Sequence, residues 1–209
     1  MKQNSPFVIT ISRQLGSGGA RVGQQLAKHL NIFYADREII SEASKQLKIL
    51  EEELESHDEK ISSFWQSFLK LYAYGTPDAF VPPKLLGPTD RELFEIQSAI
   101  IKRIAQGRSA VIIGRCGSYI LRKHPNHVSI FLHGDIAFRK DNVQKMFNVS
   151  GKEAEKMITQ NDKERALYYQ TFTGREWTDV RQYDLAIDTS KIGIDKSVDL
   201  ILKYLEYSK

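Results

Sequence analysis

The stretch that decides the fold is FVITISRQLGSGGARVGQQLAKHL, residues 7–30. Phe7 to Ile11 is a short apolar, β-branched run suited to a buried strand, whereas Ala20, Gly23, Leu26, Ala27 and Leu30 recur at helical spacing. A strand therefore runs directly into a helix. Between them lie Gly16, Ser17, Gly18 and Gly19, a turn whose backbone can take positive φ and approach a ligand without Cβ clashes. Its amides converge with the N-terminus of the following helix, so an anion there meets several N–H donors and the positive end of the helix dipole. Two readings stay open: a phosphate cradle built from Gly16, Ser17, Gly18, Gly19, Ala20 and Arg21, or a glycine-rich turn that only joins strand to helix. Its place after the first strand and before a helix favours the cradle.

The turn departs from the pattern G-x-x-x-x-G-K-[ST], in which a lysine reaches the β/γ-phosphates and a hydroxyl binds the metal. Arg13 stands where the first glycine would be and Gly19 where the lysine would be; the metal-binding hydroxyl is missing. The amide cradle is retained without its cation. Arg13 and Arg21 flank the loop, and a guanidinium clamps two phosphate oxygens where an ammonium acts as a point charge, so either can take over the lysine's task.

Composition bounds the answer. With 209 residues, 41% hydrophobic and 27% charged, the chain has the make-up of a soluble globular domain with ample length for a core. Its net charge of +4 suits small polyanions, but no run of five Lys/Arg marks a nucleic-acid tail. The single cysteine, Cys116, excludes an internal disulfide and a multi-cysteine metal cluster. No apolar run reaches 18 residues and the N-terminus is not signal-like. A cytoplasmic protein with neither a membrane nor a nucleic-acid partner is expected.

Downstream, Ile32 to Tyr34 forms a second short strand ending at Asp36 and Arg37. Strand carboxyl ends face the ligand crevice of a parallel α/β sheet, so this charged pair suits substrate or metal, although Asp36 also serves as a plain helix N-cap. Residues 38–74 read as helical. They carry the acidic cluster Glu51, Glu52, Glu53 and Glu55, a solvated face, and an aromatic stripe through Phe64, Trp65 and Phe68, a packing surface. Gly75 to Pro88 holds four of six prolines and reads as an irregular loop with the makings of a flap.

Thr89 or Asp90 caps a further helix that Gly107 stops. Ala110 to Ile113 is a central strand, with Arg115 at its carboxyl end. A strand buried on both faces has no structural need for an arginine at its tip, so a phosphate contact is the preferred reading over an incidental surface residue. Cys116 beside it has the profile of a buried thiol and not of a nucleophile. His127 to Leu132 is the next strand, with His127 and His133 read as strand-end surface residues. Ser150 and Glu153 form a capping box for a helix through Tyr169. That helix and its sequel carry Lys163, Arg165 and Arg175, the cations a phosphoryl-transfer transition state needs over its peripheral oxygens; a solvated helix pair is the alternative. Tyr183 to Ile187 is the last strand, and Ile194 to Tyr207 closes the chain as an amphipathic helix. Strands alternating with helices imply a parallel sheet of five strands with helices on both faces.

Four ordered blocks carry a resemblance: ITISRQLGSGGARVG (9–23), FYADREI (33–39), VIIGRCGSYIL (111–121) and YDLAIDTSKIGID (183–195). Together they resemble the cytidylate kinase-like family, a branch of the P-loop nucleoside monophosphate kinases, over nearly the whole chain. The resemblance implies a three-layer P-loop NTPase fold with a core of 1–36, 107–150 and 180–209, a helical monophosphate-binding insert at about 37–106 and a lid at about 151–179. It implies ATP and Mg2+ as cofactors, small-molecule nucleotides as partners, and a monomer or homodimer.

The activity implied is phosphoryl transfer from ATP to a nucleoside monophosphate, CMP or dCMP first. A non-catalytic nucleotide sensor and a kinase for another small acceptor are the alternatives. In cytidylate kinases an arginine for the substrate phosphate is followed by an aspartate on the sugar or base side; Arg115 matches the arginine, and Cys116 stands at the aspartate. The catalytic cations would be Arg13, Arg21, Arg115, Lys163 and Arg165, with Arg175 possible in the lid. Substrate would be held by Asp36, Arg37 and Arg115. Magnesium would be held mainly by ATP oxygens and water, with Ser12, Ser17 or Asp36 as the nearby protein candidates.

Overall fold

The computed structural model describes residues 6–36 and 88–207. Arg37, the acidic cluster, the aromatic stripe and the proline-rich loop up to residue 87 lie outside the described residues.

Five parallel strands, β1 (Val8–Arg13), β2 (Phe33–Ala35), β3 (Ala110–Ile113), β4 (His127–His133) and β5 (Leu185–Asp188), form one sheet in the order β2-β3-β1-β4-β5. Every residue of β1 and β3 is buried, as expected of central strands covered on both faces. The chain departs from β1 towards β3 and β2 on one side and later towards β4 and β5 on the other. The carboxyl end of β1 is therefore the switch point at which an open α/β sheet leaves a crevice.

One face of the sheet, through Ile9, Ile11, Val111, Ile113, Ile130 and Leu132, packs on α1 (Gly19–Leu30) and on the C-terminal helix α7 (Ile194–Tyr207) by Val22, Leu26, Val198 and Ile201. The other face, through Val8, Ala110 and Ile112, packs on α2 (Pro88–Gly107) by Leu93, Ile100 and Ile101. Pro88 is thus the first residue of a helix, where its missing N–H costs nothing, and Thr89 and Asp90 fall in the first turn and not before it. Short α3 (Gly117–Ile120) follows β3, and short α6 (Thr189–Ile192) follows β5.

Between β4 and β5 the chain makes a helical hairpin of α4 (Ile136–Phe147) and α5 (Gly151–Thr173). The capping box of Ser150 and Glu153 starts α5, which runs on to Thr173 and ends at left-handed Gly174. The hairpin buries Val143, Ala154 and Ile158 around Leu15 of the glycine loop. An aromatic cluster of Phe131, Tyr168, Tyr169, Trp177 and Tyr183 fills the gap between α5 and the sheet. His127, expected at the surface, instead lies half-buried with its Nε2 2.7 Å from Thr10 Oγ1. Among the described residues no helix is long and apolar enough to cross a membrane.

Candidate active site

The glycine loop leaves β1 at Arg13 and enters α1 at Gly19. Gly18, the helix N-cap, sits at φ 79°, ψ 18° and has no side chain to cap with, so the amides at the start of α1 have no acceptor within the helix. The loop's carbonyls, by contrast, are turned inward and bound one by one. Arg13 O accepts from Arg165 Nη1 at 2.6 Å, Gln14 O from Ser17 Oγ at 2.8 Å, Leu15 O from Arg139 Nε at 2.8 Å and Gly16 O from Asn142 Nδ2 at 2.8 Å. Leu15 N donates to Asp162 Oδ1 at 3.0 Å, and Asp162 is ion-paired with Arg139. The loop thus hides its acceptors from Arg13 to Gly16, and it spends the amides of Gln14, Leu15 and Ser17 inside the protein, so an anion would be met by the amides that open α1. Glycine is obligatory at position 16: φ is +82°, and a Cβ would lie 2.5 Å from the Arg139 carbonyl oxygen of α4.

β3 ends in a second special turn. Gly114, Arg115 and Cys116 are all left-handed, with φ of 69°, 55° and 55°. For each of the two non-glycine residues that conformation costs about 1–2 kcal/mol. The surrounding structure imposes it: Gly114 N donates to Ile11 O at 2.9 Å, and Gly117 N closes back on Gly114 O at 2.9 Å.

The turn delivers Arg115 to a cleft of about 40 Å³ that Arg13 and Arg165 also line. The rest of its lining is hydroxyl-bearing, sulfhydryl or aromatic: Ser12, Cys116, Tyr168, Tyr169 and Trp177, with Gly114. Burial pushes the Cys116 thiol up to about 12, with Arg115 pulling weakly the other way. The group is a neutral thiol at pH 7, as expected of a residue that is not a nucleophile. Burial likewise raises Tyr169 and Tyr183, whose hydroxyls donate to Gln182 Oε1 and to the Trp177 carbonyl.

The sequence candidates are placed as follows. Arg13, Arg115 and Arg165 come together at the cleft. Arg21 is exposed on α1, and Lys163 is exposed on α5, roughly 200° around the helix from Arg165. Arg175 lies beyond α5, with its guanidinium 5.6 Å from the Tyr119 ring centroid. Ser12 lines the cleft, whereas Ser17 is wholly buried and gives both its hydroxyl and its amide (3.3 Å) to the Gln14 carbonyl. Asp36 is buried just past β2; since Ala35 is in register with Ile112, it stands level with Ile113, one residue before the Arg115 turn begins.

Among the described residues no three His, Cys, Asp or Glu side chains group as metal ligands. A magnesium ion would therefore draw most of its ligands from nucleotide oxygens and water, with Ser12 as a cleft-lining hydroxyl. Sequence reasoning missed Arg139 and Asn142 and gave Asp162 no structural task. No local signal announces them, because each is an ordinary polar residue of an amphipathic helix.

The family model of the cytidylate kinase-like family matches residues 8–191. The cytidylate kinase of Sulfurisphaera tokodaii is 22% identical over 201 residues, which are 96% of this chain and 96% of that protein. Among solved structures, an uncharacterized protein from Eubacterium ventriosum ATCC 27560 superposes with a TM-score of 0.69 at 27% identity, over 96% of this chain and 98% of that one. The shikimate kinase from Acinetobacter baumannii, in complex with shikimate, reaches 0.52 at 11% identity over 99% of this chain and 96% of its own, a likeness of fold. From the first strand through the glycine loop and the arginine turn to the helix that follows the last strand, the chain belongs to the cytidylate kinase-like family.

Proposed function

We propose that the protein transfers the γ-phosphoryl group of ATP, with Mg2+, to the phosphate of a nucleoside monophosphate, CMP or dCMP. Family membership and the P-loop kinase fold support phosphoryl transfer in general. The observation that carries the reading further is the convergence of Arg13, Arg115 and Arg165 in one cleft beside a glycine loop whose carbonyls from Arg13 to Gly16 are each bound by a protein donor.

The order of parts in this proposal is a core of 1–36, 107–150 and 180–209, an acceptor insert at 37–106 and a lid at 151–179. The amides of Gly18, Gly19, Ala20 and Arg21 hold the donor's phosphates at the positive end of α1. Arg115, with Asp36 and Arg37, holds the acceptor. An acceptor phosphate oxygen attacks the γ-phosphorus in line as the bond to the β–γ bridging oxygen breaks, and ADP leaves. Arginines that face the peripheral oxygens stabilise charge where it spreads in the transition state. Magnesium, when bound, neutralises the donor phosphates.

The test is ADP release from ATP and magnesium with CMP, dCMP, UMP and AMP offered in turn. Turnover with CMP or dCMP that falls by about a hundredfold or more in Arg115→Ala, with the circular dichroism unchanged, is the expected result. ATP binding without turnover on any of the four would refute this acceptor class and favour a nucleotide sensor or a kinase for another small molecule.

A further inference from the structure

We propose that Arg13 is the cation of the glycine loop, reaching from the strand below into the volume that a lysine at position 19 would occupy, and that its guanidinium lies between donor and acceptor phosphates. This rests on the phosphoryl-transfer reading above and assigns the residue that replaces the loop lysine. Two glycines outline the side chain. A Cβ built on Gly19 would lie 2.6 Å from Arg13 Cγ and 2.7 Å from its Cβ, so the arginine stem fills the space in which a side chain at 19 would start. A Cβ built on Gly114 would lie 2.1 Å from Arg13 Nη1.

Gly19 opens α1 at the donor cradle, and Gly114 opens the left-handed turn that carries Arg115. The Arg13 side chain therefore spans the two turns, stem on one and guanidinium on the other. The residue is 8% exposed and lines the cleft with Arg115 and Arg165, while its own carbonyl is held by Arg165. The rival cation, Arg21, is exposed on α1. Positions 13 and 19 are thus sterically reciprocal: a long side chain fits at one only if the other is glycine. A planar fork has a further use here that a point charge lacks, since its two edges can face two phosphoryl groups at once.

The experiment titrates ATP with magnesium into the full chain by calorimetry, with thermal melting as the fold control. Arg13→Gln keeps most of the stem and removes the charge; it should weaken ATP binding about tenfold or more and turnover about a hundredfold. Arg13→Lys should retain more affinity than Arg13→Gln. Gly19→Lys alone should melt well below wild type, because two stems compete for one volume. The swap Arg13→Gly with Gly19→Lys restores G-x-x-x-x-G-K and should bind ATP about tenfold more tightly than Arg13→Gly alone.

Four results each overturn the proposal: a folded Arg13→Gln that binds ATP as wild type does, equal binding by Arg13→Gln and Arg13→Lys, a swap no tighter than Arg13→Gly, or a larger loss from Arg21→Gln than from Arg13→Gln. If Arg13→Gln does not fold, the comparison of the swap with Arg13→Lys decides: the swap binding ATP at least as tightly supports the proposal and much weaker binding overturns it. Failure of the phosphoryl-transfer reading looks different: the wild type would then bind ATP without turnover on any acceptor while the affinity order of the variants held, whereas a wild type that binds no ATP removes both.

Discussion

Replacing Arg139 by methionine should damage the glycine loop from behind. The side chains of Arg139 and Asp162 are 6% and 17% exposed, and each holds the backbone of Leu15, one at the carbonyl and the other at the amide. Removing one partner of a buried pair leaves an uncompensated charge and costs about 3–5 kcal/mol. For a domain of this size each kcal/mol moves the melting temperature by about 2–4 °C, so Arg139→Met should melt roughly 6–20 °C lower. Asp162→Leu should cost a similar amount. The double variant removes both charges and should lie only about 2–4 kcal/mol below wild type, a coupling of about 2 kcal/mol or more in a double-mutant cycle followed by urea unfolding. Stability and function should then part company: the double variant still lacks the two bonds to Leu15, so its ATP affinity should stay below wild type. A coupling under about 1 kcal/mol, the value of an exposed pair, would refute the claim that these residues secure the loop.

Two further outcomes are expected. Arg115→Gly relieves one strained left-handed residue and should raise stability by up to about 1 kcal/mol, after the entropy glycine returns to the unfolded chain, while turnover is lost; a lower melting temperature would show that the turn is not strained. Burial holds His127 down to about 4 against the opposing pull of Asp184, so the neutral ring is the native form and the unfolded chain takes up the proton first as pH falls below 6.5. The contribution of His127 to stability should therefore decline between pH 6.5 and 4 and level off below, by about 3 kcal/mol at about 1.4 kcal/mol per pH unit, while carboxylates held below their ordinary values, such as Asp135 and Asp188, go on losing theirs at lower pH. That decline should be absent in His127→Gln, and equal pH profiles for the two proteins would refute it.

The β1–loop–α1 unit was legible because its signals are local: an apolar run, glycines and a helical period occupy two dozen consecutive residues. The strand count and Arg115 at the tip of β3 were legible for the same reason. The loop's anchors were not, because they lie far along the chain. Arg139 reaches Leu15 across 124 residues, Asn142 reaches Gly16 across 126, Asp162 reaches Leu15 across 147 and Arg165 reaches Arg13 across 152. On an amphipathic helix Arg139, Asn142 and Asp162 look like solvated polar residues, and Arg165, legible as a cation for phosphate, gives no local sign that it holds the Arg13 carbonyl. The left-handed run at 114–116 was hidden too, since arginine and cysteine have no preference for that conformation and tertiary contacts impose it. His127 was misplaced because a polar residue opening a strand reads as surface, whereas Thr10 on the neighbouring strand gives it a partner.

Cys116 bears on how the cleft divides its labour. In the cytidylate kinases that the chain resembles, a carboxylate follows the phosphate-binding arginine; here the same turn presents a buried thiol that stays neutral up to about 12. A carboxylate in that position would offset one of the guanidiniums of Arg13, Arg115 and Arg165 and would offer an acceptor for an N–H or O–H of the substrate. A thiol does neither to any useful extent, being a weak donor and a weaker acceptor. The turn therefore brings no carboxylate of its own into the cleft. On the reading proposed above, the rest of an acceptor extends beyond the cleft, because Tyr168, Tyr169 and Trp177 are 7%, 4% and 5% exposed and are packed with Phe131 and Tyr183. Selectivity among nucleoside monophosphates should accordingly be looser than a carboxylate-equipped site allows, while the requirement for an acceptor phosphate remains strict.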